Sequence, residues 1–291
     1  MMKTILITDS CSDLPVKYAT ENNIVVVPLS FQFKGADHVD DFGKSISYKE
    51  FYEELRKGEL SSTSQVNAYT FAEVFKKYIS QGFSILYIGF SSALSGTYNS
   101  SCMARDEILA EYPSADISVI DSKCASMGLG LLVYYACERL KSGKSKDEVV
   151  NWIEENKLKL NHWFTVDDLH HLKRGGRVSA TSAVIGTLLD IKPILNVNKE
   201  GRLIPISKVK GRKKSIKSLA EELKNRIVDP ENQVIAISHG DCEDEARILE
   251  KLIREYVNVK NIIINYIGPV VGSHSGPGTI ALFFFGKERS E

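Results

Sequence analysis

The first half of the chain alternates short apolar runs with longer stretches in which apolar side chains recur every three or four residues. Thr4 to Thr8 is a nearly continuous apolar run ending at Asp9-Ser10, and Ser84 to Phe90 repeats that pattern. Asn23 to Phe33 is β-branched and apolar, while Asp116 to Ile120 ends at Asp121-Ser122. These four segments read as strands. Tyr48 to Lys57, Tyr69 to Ser80, about Tyr98 to Glu111 and an apolar run from about Ser126 carry helical spacing, and Ser145-Lys-Asp-Glu148 is the pattern of a capping box opening one more helix. Strands that alternate with helices predict a parallel, Rossmann-like sheet covered on both faces.

The rhythm changes near residue 160. His162 to Val166 reads as a strand, followed by a short helix from Asp167 to Leu172 stopped by Gly175-Gly176. Ile191 to Val197 and Arg202 to Ser207 flank a Lys199-Glu-Gly201 turn and predict a hairpin. Helices at about Lys213 to Ile227 and Asp244 to Tyr256, with strands at Gln233 to Ser238, Asn261 to Ile267 and Thr279 to Phe285, complete a mixed sheet. The expected fold is therefore α/β, with a Rossmann-like domain over residues 1–160 and a mixed α/β domain over 161–291. A length of 291 residues suits two such cores.

Composition narrows the class. Equal numbers of basic and acidic residues, 37 of each, argue against a dedicated nucleic-acid binder. The longest nearly apolar stretch, Gly128 to Cys137, is far short of a membrane span, and no secretory signal opens the chain, so a cytoplasmic location without stable membrane insertion is expected. The five cysteines form no C-x-x-C pair, which predicts reduced thiols and no structural metal. Charge is uneven: residues 161–227 hold 14 Lys and Arg against 6 Asp and Glu. That excess fits either a docking patch for an acidic partner or a solvated helix face.

In parallel sheets ligands bind beyond the carboxyl ends of the strands, where Asp9-Ser10, Ser91-Ser92 and Asp121-Ser122 are expected to cluster. The loop Ser91-Ser-Ala-Leu-Ser-Gly-Thr97 and the segment Ser61-Ser-Thr-Ser-Gln65 both look like hydroxyl-rich helix entrances, suited either to plain capping or to holding a carboxylate or phosphate. Gly96 would let a ligand approach the backbone. Gly272-Ser-His-Ser-Gly-Pro-Gly278 reads as a loop of demanding geometry in which His274 could contact an anion, act as a base or fasten the loop. No G-x-S-x-G elbow, Walker loop, H-E-x-x-H or complete G-x-G-x-x-G is present, so the chain is expected to hold a ligand rather than transform it. Two other readings stay open: an acyl hydrolase or transferase using Ser95 or Ser92 with His274, and a module binding phosphate esters through its basic stretch.

Taken in order, Ile7-Thr-Asp-Ser-Cys-Ser-Asp-Leu-Pro15, Thr63-Ser-Gln65, Ser91-Ser-Ala-Leu-Ser-Gly-Thr-Tyr98, Asp121-Ser122, Leu172-Lys-Arg-Gly-Gly-Arg-Val-Ser179, Gly186-Thr-Leu-Leu-Asp-Ile-Lys-Pro-Ile194 and His274-Ser-Gly-Pro-Gly278 resemble the DegV family of bacterial proteins. Cys11, Val66 and Ser275 depart from that pattern, which more often has Ser or Thr, Pro and Thr there. The resemblance implies a carrier that binds one long-chain fatty acid between its domains and presents it to the kinase subunit of a bacterial fatty acid kinase. On that basis Thr63 and Ser95 would hold the carboxylate, Ser64 and His274 would complete the network, and Arg177 with Lys173 and Arg174 would face the kinase. The ligand would be a C14 to C18 acid such as palmitate, with no other cofactor and no metal. Phe90, Ile185, Leu188 and the run Phe283-Phe284-Phe285, Phe284 above all, are the candidate tail-lining residues.

Overall fold

Continuous apolar runs become buried parallel strands. The computed structural model describes residues 3–178 and 190–289. Strands β1 (Thr4–Asp9), β2 (Val25–Val27), β6 (Ser84–Gly89) and β7 (Ile117–Asp121) form a parallel sheet in the order β2-β1-β6-β7. All six residues of β6 are buried, as expected for a strand covered on both faces. Its helices are α1 (Val16–Glu21), α3 (Ala68–Ile79), α4 (Thr97–Glu111), α5 (Met127–Lys141) and α6 (Lys146–Asn156). The capping box at α6 is formed in full, with Glu148 N–H donating to Ser145 Oγ at 3.3 Å and Ser145 N–H donating back to Glu148 Oε2 at 2.8 Å.

The Asn23–Phe33 stretch does not make one strand. Pro28 has no N–H to give a ladder and separates β2 from β3 (Ser30–Phe33). Strand β3 joins β4 (Ala36–Val39) and β5 (Ser61–Ser64) in a small antiparallel sheet of order β4-β3-β5, with α2 (Tyr48–Arg56) inserted before β5. The expected helix entrance at Ser61–Gln65 is thus a strand, and α3 begins only after Asn67, whose side chain accepts from Thr70 N–H.

From residue 160 onward the strands belong to a six-stranded mixed sheet. Its members are β8 (Leu160–Thr165), β9 (Ile191–Val197), β10 (Leu203–Lys210), β11 (Val234–His239), β12 (Asn261–Tyr266) and β13 (Ile280–Phe285), in the order β10-β9-β8-β13-β11-β12. Only β11 and β12 run parallel; the β9-β10 hairpin is as expected. Helices α8 (Arg212–Arg226) and α9 (Glu243–Tyr256) cover one face with a core that includes Leu219, Leu249, Ile280, Leu282 and Phe284. The other face, carrying Phe164, Ala281 and Phe283, packs against α5 and joins the large core of the parallel sheet. Short α7 (His170–Arg174) follows β8, and α10 (Pro269–Ser275) replaces most of the loop expected at Gly272–Gly278. Gly276, at φ 79°, ends α10.

Candidate functional site

Strand β5 decides where Thr63 points. Its alternation leaves Ser62 and Ser64 exposed and turns Ser61 and Thr63 inward, towards α10. Ser273 donates to Ser61 Oγ at 2.7 Å, and Thr63 Oγ1 lies 2.8 Å from His274 Nε2. Two side-chain contacts thus fasten α10 to the small sheet.

Ser95 comes from the loop between β6 and α4. That loop is folded tightly, with Leu94 N–H and Ser95 N–H both donating to Ser91 O at 3.0 and 3.2 Å. Ser95 Oγ accepts from Thr97 N–H at 3.3 Å and lies 3.0 Å from Thr97 Oγ1. Val66 N–H reaches the same Thr97 hydroxyl at 3.4 Å, and Gln65 Nε2 donates to Ser100 Oγ at 3.1 Å. Gly96 serves this docking, since a Cβ there would sit 2.0 Å from Gln65 Oε1, and it also lines the cavity between the sheets. The segment after β5 is therefore clamped on the first turn of α4, next to the loop that carries Ser95.

A cavity of about 200 Å³ lies between the parallel and mixed sheets. Thr63, Ser64, Ser95, Arg177 and His274 line it together with Phe90, Leu94, Phe164, Val270 and Phe283. A second, outward cleft of about 550 Å³ shares Thr63, Arg177 and His274 with it and adds Ser62, Arg174 and Lys34. The Thr63–His274 pair thus stands at the junction of an apolar interior and a polar cleft.

Burial, reinforced by the nearby Arg177 and Arg174 guanidiniums, pushes the His274 imidazole down to about 4, so it is neutral at pH 7. Arg177 donates from Nε to Leu94 O at 3.1 Å and from a terminal nitrogen to Gly175 O at 2.5 Å. It is half-buried and lines the cavity as well as the outer cleft, whereas Arg174 is exposed and Lys173 half-buried. An uncharged set of hydroxyls with one cation beside it can accept a carboxylate, offsetting the lost hydration through directed donors.

Phe90 lines the cavity, but Phe284 does not: alternation along β13 sends it into the core beneath α8 and α9 and leaves Phe283 facing the cavity. Ile185 and Leu188 lie outside the described residues. The polar strand ends turn out to be loop fastenings. Asp9, pushed up to about 6 by burial, accepts from Tyr87 Oη and Phe90 N–H at 2.8 and 2.9 Å, and Ser92 Oγ bonds the Asp121 carboxylate. Among the described residues Ser92 has no histidine partner, and Ser95 bonds Thr97 and not His274, so the nucleophile–base contact a serine enzyme needs is not formed. Arg212, counted in the basic stretch, is held by Glu245 at 2.7 Å and faces Asp167 at 3.7 Å. No group of three or more His, Cys, Asp or Glu able to hold a metal, and no helix long and apolar enough to cross a membrane, occurs among the described residues. Phe164 and Val270 were missed from sequence; their apolar character was visible, but not which face of the sheet or helix they occupy.

Known proteins share this architecture. A family model described as an uncharacterised protein of the DegV family matches residues 3–287. A DegV domain-containing protein of Clostridium perfringens is 52% identical over 289 residues, covering 99% of each chain. A DegV family protein from Thermus thermophilus, described for its fatty acid binding, superposes with a TM-score of 0.89 at 30% identity, over 98% of this chain and 100% of that one. A protein from Eubacterium ventriosum described as binding stearic acid gives a TM-score of 0.86 at 26% identity, over 99% of both chains.

Proposed function

The chain belongs to the DegV family, and from that premise we propose that it is a carrier of one long-chain fatty acid, of C14 to C18 such as palmitate. Residues 1–160 and 161–291 form two units, and the acid lies between them. Thr63 and Ser95 hold its carboxylate, Ser64 and His274 complete the polar end, and the tail runs against Phe90, Phe164 and Phe283. The single observation that carries this reading is the shared position of Thr63, Ser95 and His274 on the wall of an apolar cavity, with an open cleft beyond two of them.

Energetics support it. At about 0.8 kcal/mol per buried methylene, a 14-methylene tail supplies a gross driving force on the order of 11 kcal/mol, part of which ordering the chain takes back. Hydroxyl donors at the head orient the acid without binding it as tightly as a ring of cations. The outer cleft leaves the carboxylate reachable, which suits presentation to a kinase subunit. There a carboxylate oxygen would attack the γ-phosphorus of ATP, the bond to ADP would break, and an acyl phosphate would form. Arg177, with Lys173 and Arg174, belongs to the surface meeting that partner, and the chain performs no catalysis by itself.

The test is denaturing extraction of the purified protein followed by mass spectrometry. Fatty acid of C14 to C18 near one equivalent per chain is expected. Preparations that are free of lipid and bind no added palmitate would overturn the proposal.

A further inference from the structure

We infer that Gly175 is a positioning residue that fixes the proton of His274 on Nε2, and thereby turns the Thr63 hydroxyl towards the bound carboxylate. The aim of the Thr63 hydroxyl rests on the fatty-acid reading above; the place of the proton on the ring does not.

Gly175 follows α7 at φ −72°, an ordinary helical value, so no backbone strain calls for glycine there. A Cβ on Gly175, however, would lie 2.1 Å from His274 Nδ1. The glycine Cα is therefore packed on that nitrogen, and Arg177 holds it there by donating to the Gly175 carbonyl. His274 Nδ1 is buried and has no hydrogen-bond partner among the described residues. A proton on Nδ1 would be a buried donor facing a C–H group, a penalty of about 1–3 kcal/mol. A lone pair against the same C–H is tolerated. The neutral ring accordingly carries its proton on Nε2, which sits 2.8 Å from Thr63 Oγ1.

The consequence lies at Thr63. Its oxygen accepts the Nε2–H, so its own O–H is left to donate elsewhere, and the side chain lines the cavity. Ser95 Oγ likewise accepts from Thr97 N–H, and in its 3.0 Å contact with Thr97 Oγ1 either hydroxyl can be the donor. The Thr63 hydroxyl, filled from behind by a protein donor, presents its proton to the cavity. A proton on Nδ1 would instead make the Thr63 O–H donate to Nε2 and present a lone pair to the acid. The charged groups acting on the ring are Arg174 and Arg177 from the α7 segment, while β5 brings hydroxyls only. Both cations oppose a second proton, which keeps the arrangement constant around neutral pH.

Two-bond nitrogen–proton NMR on the full chain labelled with ¹⁵N-histidine tests this. At pH 7 the His274 ring should show the Nε2–H tautomer with and without palmitate, and should show no protonated form down to about pH 5.5. Gly175→Ala should displace the ring, shift its nitrogen resonances and weaken palmitate binding tenfold or more. An Nδ1–H or protonated ring in the wild type at pH 7, or wild-type ring resonances in Gly175→Ala, would overturn the inference. The wild-type tautomer decides on its own should Gly175→Ala fail to fold. An Nε2–H ring in a chain that binds no palmitate would support the ring assignment and overturn the fatty-acid reading, which separates the two.

Discussion

Replacing Thr63 by alanine removes one hydroxyl and a known set of contacts. The side chain is half-buried, touches His274 Nε2 at 2.8 Å and lines the cavity beside Ser95. In the liganded protein the change deletes one hydrogen bond to a charged carboxylate, worth about 1.5–3 kcal/mol. At about 1.4 kcal/mol per tenfold, palmitate should bind roughly 10- to 150-fold more weakly. In the free protein the change also strips His274 of its partner, with Nδ1 already unpaired, so the melting temperature should fall by about 2–4 °C per kcal/mol lost. Most of the tail energy is untouched, and binding should weaken without vanishing. Competition between palmitate and a fluorescent fatty acid reads the affinity, and circular dichroism checks the fold. A double-mutant cycle with His274→Ala should show a coupling of about 0.5–3 kcal/mol. Affinity within twofold of wild type in Thr63→Ala, and again in Thr63→Ala with Ser95→Ala, would refute the assignment of the head group to this wall.

Further outcomes follow from the same geometry. Phe283→Ala should reduce palmitate affinity, whereas Phe284→Ala should lower stability by about 3–5 kcal/mol in urea melts and leave affinity near wild type, because the two rings face opposite sides of β13. Burial pushes the Asp40 carboxyl up to about 7. Its unfolded value is near 3.9, so between about pH 4 and 7 the folded state binds a proton that the unfolded chain does not, and stability falls as pH rises through that window. Asp40→Asn cannot titrate, so its stability relative to wild type should rise by on the order of 4 kcal/mol between pH 4 and 8, measured by urea unfolding; a pH-independent difference would contradict this. Arg174→Glu, at an exposed position, should spare palmitate affinity and impair coupling to a kinase subunit in a phosphorylation assay. Arg177 is the poorer probe, because it also holds the Leu94 and Gly175 carbonyls.

Much of the scaffold was legible because burial on both faces leaves an unmistakable trace. Ile5, Leu6 and Ile7, and Ile85 to Ile88, are runs of the kind a strand covered on both faces carries, and Ser145 with Glu148 announced a helix start. The head-group hydroxyls were legible as residue types in two segments. Their meeting was not, because it depends on the small sheet. Ser61–Ser64 has no apolar pattern and becomes a strand only by pairing with β3, whose separation from β2 follows from Pro28. Helix α10 was hidden for a related reason. Its Gly and Ser residues have poor helix propensity, and tertiary packing sustains it: Gly272 lies so close to Tyr52 that a Cβ would come within 2.5 Å of Tyr52 Oη. The parity error at Phe284 reflects a run of three phenylalanines on a strand buried on both faces, where neither face is marked by polar residues.

On the proposed reading, neutral donors lining the cavity hold an acid whose tail lies inside. A crystal structure of the protein with palmitate measures it most directly. Carboxylate oxygens are expected at hydrogen-bond distance, about 2.6–3.2 Å, from both Thr63 Oγ1 and Ser95 Oγ, with the tail against Phe164 and Phe283. A carboxylate bound elsewhere, or a tail lying along the outer cleft, would contradict it.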